Sequence, residues 1–188
     1  MICTPLIPIG VSDYHRGFWG TLWVSSETLK AYVGEVVRSL NFHGITKVIL
    51  VNGHGGNINC LRELARRLKR EDSIYVVVWT WFEAIQDEII KIFGQPIPPL
   101  HADQVETSLL WAINGKLVRE ESLKSSSESA SPVFGKYHNK VLVSEDVTDF
   151  SNSGATGNAC MASSEKGEKL LHKAKSNLIS LIEWLQKR

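Results

Sequence analysis

Cysteine is scarce: the 188 residues hold three, Cys3, Cys60 and Cys160, far apart and without CxxC spacing. That argues against a disulfide framework and against a thiolate zinc site, and is expected of reduced thiols in a cytoplasmic protein. An excess of either charge is lacking too. Lys+Arg number 21 against 20 Asp+Glu, for a formal net charge of +1. With no basic block, nothing favours a nucleic acid or an anionic membrane as partner. No apolar run approaches the roughly 18 residues of a membrane span. The opening MICTPLIPIG carries no basic stretch and contains two prolines, so a signal peptide is not expected. Internal repeats are absent as well. What is present is a 43% apolar composition, enough for a buried core. The length suits a single domain over residues 1–188.

Helix and strand patterns alternate along the first 115 or so residues. In 27–42, Leu29, Val33, Val36, Val37 and Leu40 fall at helical spacing, with Ser25 or Ser26 as cap and Gly44 as terminator. The compact β-branched run KVILV, at 47–51, is expected as a buried parallel strand. A second helix is expected over 57–70, a second buried strand (SIYVVVW) over 73–79, and further helices over 80–93 and 104–114. Residues 96–100 form a proline-rich loop, and 116–139 a polar, serine-rich loop or lid margin. A strand is expected at 140–143. A long amphipathic helix over 163–187 closes the chain, with Leu170, Leu171, Ala174, Leu178, Leu181, Ile182 and Leu185 as its apolar stripe. The alternation implies an α/β domain of three layers, α/β/α, with a mostly parallel sheet. Its two unbroken apolar strands should be central and covered on both faces.

Ligands of such sheets bind at the carboxyl ends of the strands. The most unusual segment stands there: Asn52-Gly53-His54-Gly55-Gly56-Asn57, directly after KVILV and before a helix. Its glycines allow a sharp turn and close approach to a ligand, and His54 can coordinate a metal or transfer protons. It fits neither the GxGxxG nor the GxxxxGK[ST] phosphate loop. A second constellation, His101-Ala102-Asp103-Gln104-Val105-Glu106-Thr107-Ser108, opens a helix. Asp103 is placed to be the N-cap. Glu106 sits where the helix dipole favours an acid, and taken alone that is its simplest reading. A histidine from one tip and a glutamate from another are also suitable ligands for zinc or a similar ion.

Together and in this order, these motifs resemble the creatininase (creatinine amidohydrolase) family. Pro8-Ile9-Gly10-Val11-Ser12, followed by His15, Phe18, Gly20 and Thr21, is similar to the family's P-x-G-x-S…H…F-P-G-T loop, with Trp19 at the usual proline. Residues 52–57 match NGHGGN, and 101–108 match HAxxxETS. Residues 153–158, then Ala162-Ser163 and Glu165-Lys166-Gly167, resemble G-V-x-G-D-P…A-S-x-E-K-G, with Asn158 at the usual aspartate. The resemblance implies a creatininase-like fold and a metal-dependent amidohydrolase that cleaves a C–N bond in a small cyclic or linear amide. It implies a homo-oligomer, usually a hexamer, and a divalent metal. Zinc is the first expectation, with manganese or iron next. His54 and Glu106 match metal ligands, and His101 a residue that moves protons. Ser12, His15, Asn52, Gly55 and Gly56 would line the substrate. Creatininase itself has glutamate at the position of Gly56, which argues against creatinine as substrate. The family's opening E-x-H-G-x-H-L-P…D segment, which supplies three more ligands, has no counterpart here, so the domain is expected to be N-terminally incomplete relative to the family. The competing expectation is a non-catalytic or split-subunit relative with an incomplete metal site.

Overall fold

The computed structural model describes residues 1–94, 101–129 and 144–188. The expected loop at 96–100 and strand at 140–143 lie outside the described residues. The chain divides into two compact units, Met1–Trp81 and Phe82–Arg188.

The first unit is built on helix α1 (Ser26–Phe42), strand β1 (Lys47–Asn52), helix α2 (Ile58–Asp72) and strand β2 (Tyr75–Thr80). Ser25 caps α1 by accepting the Thr28 N–H, as its position suggested, and Gly44 follows the helix at a φ of +83°. The strands pair in parallel, Lys47 opposite Tyr75 and Asn52 opposite Thr80. Register places Val48, Leu50, Val76 and Val78 on one face, where they pack against Leu29, Val33 and Val37 of α1 and Leu61, Leu64 and Leu68 of α2. Leu64, Leu68 and Ile74 are fully buried at 0% exposure. Truncating any of them to alanine would cost roughly 2–5 kcal/mol.

Two expectations change here. Helix α2 starts one residue later than expected, because Gly55–Asn57 forms a 3-10 turn first. Nor, among the described residues, are the strands both central. Among the described residues the sheet has two strands, so each keeps one edge without a strand partner. On the face opposite the α1–α2 core, Val51 is 61% exposed. The apolar runs were correct guides to strand, but apolar continuity does not count strands.

The second unit follows on a single turn, α3 (Trp81–Ala84), whose first residue still belongs to the first unit. Next come α4 (Gln86–Phe93), α5 (Gln104–Asn114), α6 (Leu123–Glu128) and α7 (Ser164–Gln186). The single helix expected over 80–93 is broken at Ile85, which leaves helical geometry at φ −120° and is buried at 1% exposure. Bulky aromatics of modest helix propensity precede it. Part of the expected 116–139 loop is instead helical, as α6. Helix α7 packs along α5. Gly167 makes this possible, since a Cβ there would run into the Ser108 carbonyl. Leu170 and Leu185 of the expected stripe are buried, whereas Leu171 is exposed.

Candidate functional site

In the first unit, β1 ends at Asn52, and the NGHGGN turn carries His54 to the tip. Asn52 is buried and organises the turn. Its side-chain amide donates to the His54 carbonyl (2.8 Å) and to Thr80 Oγ1 (3.1 Å), and its oxygen accepts the His54 N–H and the Asn57 amide. Asn57 in turn accepts the Val11 N–H at 2.8 Å, which draws the loop of residues 10–15 onto the turn. The His54 ring is clamped there, with Nε2 lying 2.9 Å from the Val11 carbonyl oxygen and 3.1 Å from the Tyr14 hydroxyl. Gly56 leaves the necessary room, because a Cβ would meet both the Val11 oxygen and His54 Nε2. The ring of Tyr14 lies nearly parallel to that of His54, with centroids 5.9 Å apart. His15 stands 6.0 Å from His54, and its Nδ1 is 3.0 Å from Ser12 Oγ. Burial lowers the pKa of both histidines, and the neighbouring His54 charge lowers that of His15 further.

The second unit's motif is held differently. His101 is clasped through its backbone: its N–H donates to Thr156 Oγ1 at 2.8 Å, and its carbonyl accepts the Thr156 N–H at 2.8 Å. Asp103 caps α5, accepting from the Val105 and Glu106 N–H groups at 2.9 and 2.8 Å. Between them Ala102 adopts a φ of +47°, a region that non-glycine residues enter at some cost. Its N–H is satisfied by Glu106 Oε2 at 2.9 Å. Burial, followed by the Glu106 charge, pushes the Asp103 carboxyl up to about 7 against the pull of its backbone hydrogen bonds. Glu106 is raised too. Its surface reaches solvent, but crowding by surrounding atoms outweighs the single hydrogen bond from Ala102. The 153–167 segment braces this motif. Asn158 N–H donates to Gln104, Ser163 N–H donates to Ser108 Oγ, and Gly157 lies where a Cβ would strike Asp103.

Ser12, His15, Asn52, His54 and Gly56 therefore share one neighbourhood in the first unit, with Gly55 exposed on the same turn. His101 and Glu106 share another in the second. Imidazole and carboxylate are the right kinds of donor for a divalent ion. They fall short in number, since among the described residues no three His, Cys, Asp or Glu side chains gather to hold a metal. Sequence reasoning missed the contacts of Val11 and Tyr14 with His54 and of Thr156 with His101. Thr156 stood within a recognised motif and was legible as a partner; Tyr14 carried no signal.

The family model for creatininase (creatinine amidohydrolase) matches residues 1–182. A mycofactocin precursor peptide peptidase of Mycobacterium ulcerans (strain Agy99) is 30% identical over 132 residues, 70% of this chain and 46% of that protein. A 3-dehydro-scyllo-inosose hydrolase of Thermotoga maritima is 32% identical over 126 residues, 63% of this chain and 40% of that protein. The chain thus spans about half the length, or less, of these relatives. Among solved structures, a Bacteroides fragilis NCTC 9343 protein assigned to the creatinine amidohydrolases superposes with a TM-score of 0.79 at 23% identity, over 98% of this chain and 72% of that one. A mutant creatininase of Zn–Zn type superposes at 0.69, with 23% identity over 88% and 66% of the two chains. A creatininase of manganese type superposes at 0.67, with 23% identity over 88% and 66%.

Proposed function

Since the chain belongs to the creatininase family, we propose that it serves a metal-dependent amidohydrolase that cleaves a C–N bond in a small cyclic or linear amide. The observation that carries this reading is the built environment of His54: an imidazole on a glycine turn, kept neutral by burial and clamped at one nitrogen. Such a ring suits coordination better than a surface histidine would. His54 in the first unit and Glu106 in the second are each assigned as metal ligands, zinc first, with manganese or iron as alternatives. When bound, the ion lowers the pKa of a water molecule and polarises the amide carbonyl. His101 is assigned the proton transfer, its backbone fixed by Thr156. Ser12, His15, Asn52, Gly55 and Gly56 would border the substrate. Glu106 has a competing task in holding the Ala102 N–H through Oε2, which leaves Oε1 for the metal.

Two ligands are fewer than the three usual in catalytic zinc sites, so we expect weak binding or the need for carboxylates from another segment or chain. The units are read as parts of one domain in a cytoplasmic homo-oligomer, a hexamer as the family resemblance implies. The solvent-exposed indole of Trp19, at 103% exposure, supports an interface. No helix among the described residues is long and apolar enough to cross a membrane. The test is hydrolysis of a panel of linear and cyclic amides by the zinc-loaded chain, with H54A and E106Q as controls. Turnover lost in both supports the reading, and turnover kept in H54A contradicts it. The second reading, a non-catalytic or split-subunit relative with an incomplete metal site, is favoured because no three donors gather among the described residues, and it requires the panel to stay unhydrolysed at saturating zinc.

A further inference from the structure

A carbonyl oxygen can only accept a hydrogen bond, whereas a neutral imidazole has one N–H and one bare lone pair. His54 Nε2 lies 2.9 Å from the Val11 carbonyl oxygen, so that nitrogen must carry the proton: two lone pairs facing each other at this distance would repel. The carbonyl cannot easily retreat. Val11 is buried, and its own N–H is tied to Asn57, which is tied to Asn52, which holds the His54 backbone. Tyr14 closes the same nitrogen from a second side, its hydroxyl 3.1 Å away and its ring 8° from parallel with the imidazole. Two oxygens thus occupy the approach to Nε2.

From this geometry we infer that His54 is locked as its Nε2–H tautomer and presents Nδ1 as its only coordinating atom, with Tyr14 as the residue that positions the ring. This rests on the proposed function for the identity of the ligand, but the tautomer itself does not. Val11 and Tyr14 of the 10–15 loop then act on the site through the back of the histidine.

The test is a long-range proton–nitrogen correlation spectrum of the 15N-labelled full chain at neutral pH, with His54 assigned by loss of its signals in H54Q. The Nε2–H form should exceed the Nδ1–H form by about tenfold or more, as a buried hydrogen bond can maintain. Y14A should free the ring and move both nitrogen shifts toward their average, and Y14F, which keeps the stacked ring, should restore the wild-type pattern. Zinc ions added alone should shift Nδ1 and leave the Nε2 proton in place. A dominant Nδ1–H form without metal overturns the lock, and an unchanged spectrum in Y14A overturns the positioning role of Tyr14. Zinc displacing the Nε2 proton overturns the inference alone, leaving His54 a ligand. No change at either nitrogen overturns His54 as a ligand and the proposed function with it.

Discussion

The two tips that carry the chemistry reach unusual backbone or side-chain geometry by different means. At 52–57, glycine makes room: the absence of a Cβ at Gly56 lets a carbonyl and an imidazole close on each other. At 101–108 the unusual residue is alanine, at a φ of +47°, and a carboxylate compensates by binding its N–H. The first tip fixes a side chain and the second fixes a backbone. A motif residue can therefore be functional, structural or both, and the letter in the sequence is the same in each case. Glu106 is the case in point, since its N–H bond makes it a structural acid whether or not it also meets a metal.

The largest effects should come from filling the spaces that glycine keeps empty. G56A should destabilise the chain by about 3 kcal/mol, at the upper end for overpacking, because the nearest atom is backbone. G167A, which drives a Cβ into the Ser108 carbonyl, should do the same in the second unit. Urea denaturation measures both. If G56A is neutral, the clamp on His54 is looser than described.

Next in size is Glu106. E106A hands the exposed Ala102 N–H to water beside a strained backbone and should cost about 0.5–1 kcal/mol. E106Q keeps an acceptor and should cost less than half as much. Equal losses would mean that the negative charge, not the hydrogen bond, supports the turn.

The tips should also respond to pH with opposite sign. His54 and His15 are lowered from 6.5 in the fold, so the unfolded chain binds more protons below that value. Their contribution is complete above pH 6.5 and is lost as pH falls beneath it. Asp103 is raised from 3.8 to about 7, so the folded chain binds more protons between those values. Its contribution is complete below 3.8 and is lost as pH rises to about 7. In metal-free protein, D103N should leave stability that rises with pH toward 6.5, and H15N/H54N should leave stability that falls over the same window. Denaturation midpoints across a pH series give the sign. Last comes A102G, which should stabilise by about 0.5–1 kcal/mol by relieving the positive φ.

Much of this was legible in sequence. Ser25, Asp103 and the α5 bounds follow from capping chemistry and period, and the NGHGGN and HAxxxETS segments declare themselves by composition. The creatininase-like α/β fold also followed from the order of the motifs. What stayed hidden depends on tertiary contact. Tyr14 matters because Asn57 pulls its loop onto His54.

The central claim of the proposal is that His54 and Glu106 serve as metal ligands. Zinc binding by calorimetry to the wild-type chain, H54A and E106Q tests it most directly. Each single variant should lose affinity by about tenfold or more. Variants that bind zinc as tightly as the wild type, or a wild-type chain that takes up no zinc, would contradict it.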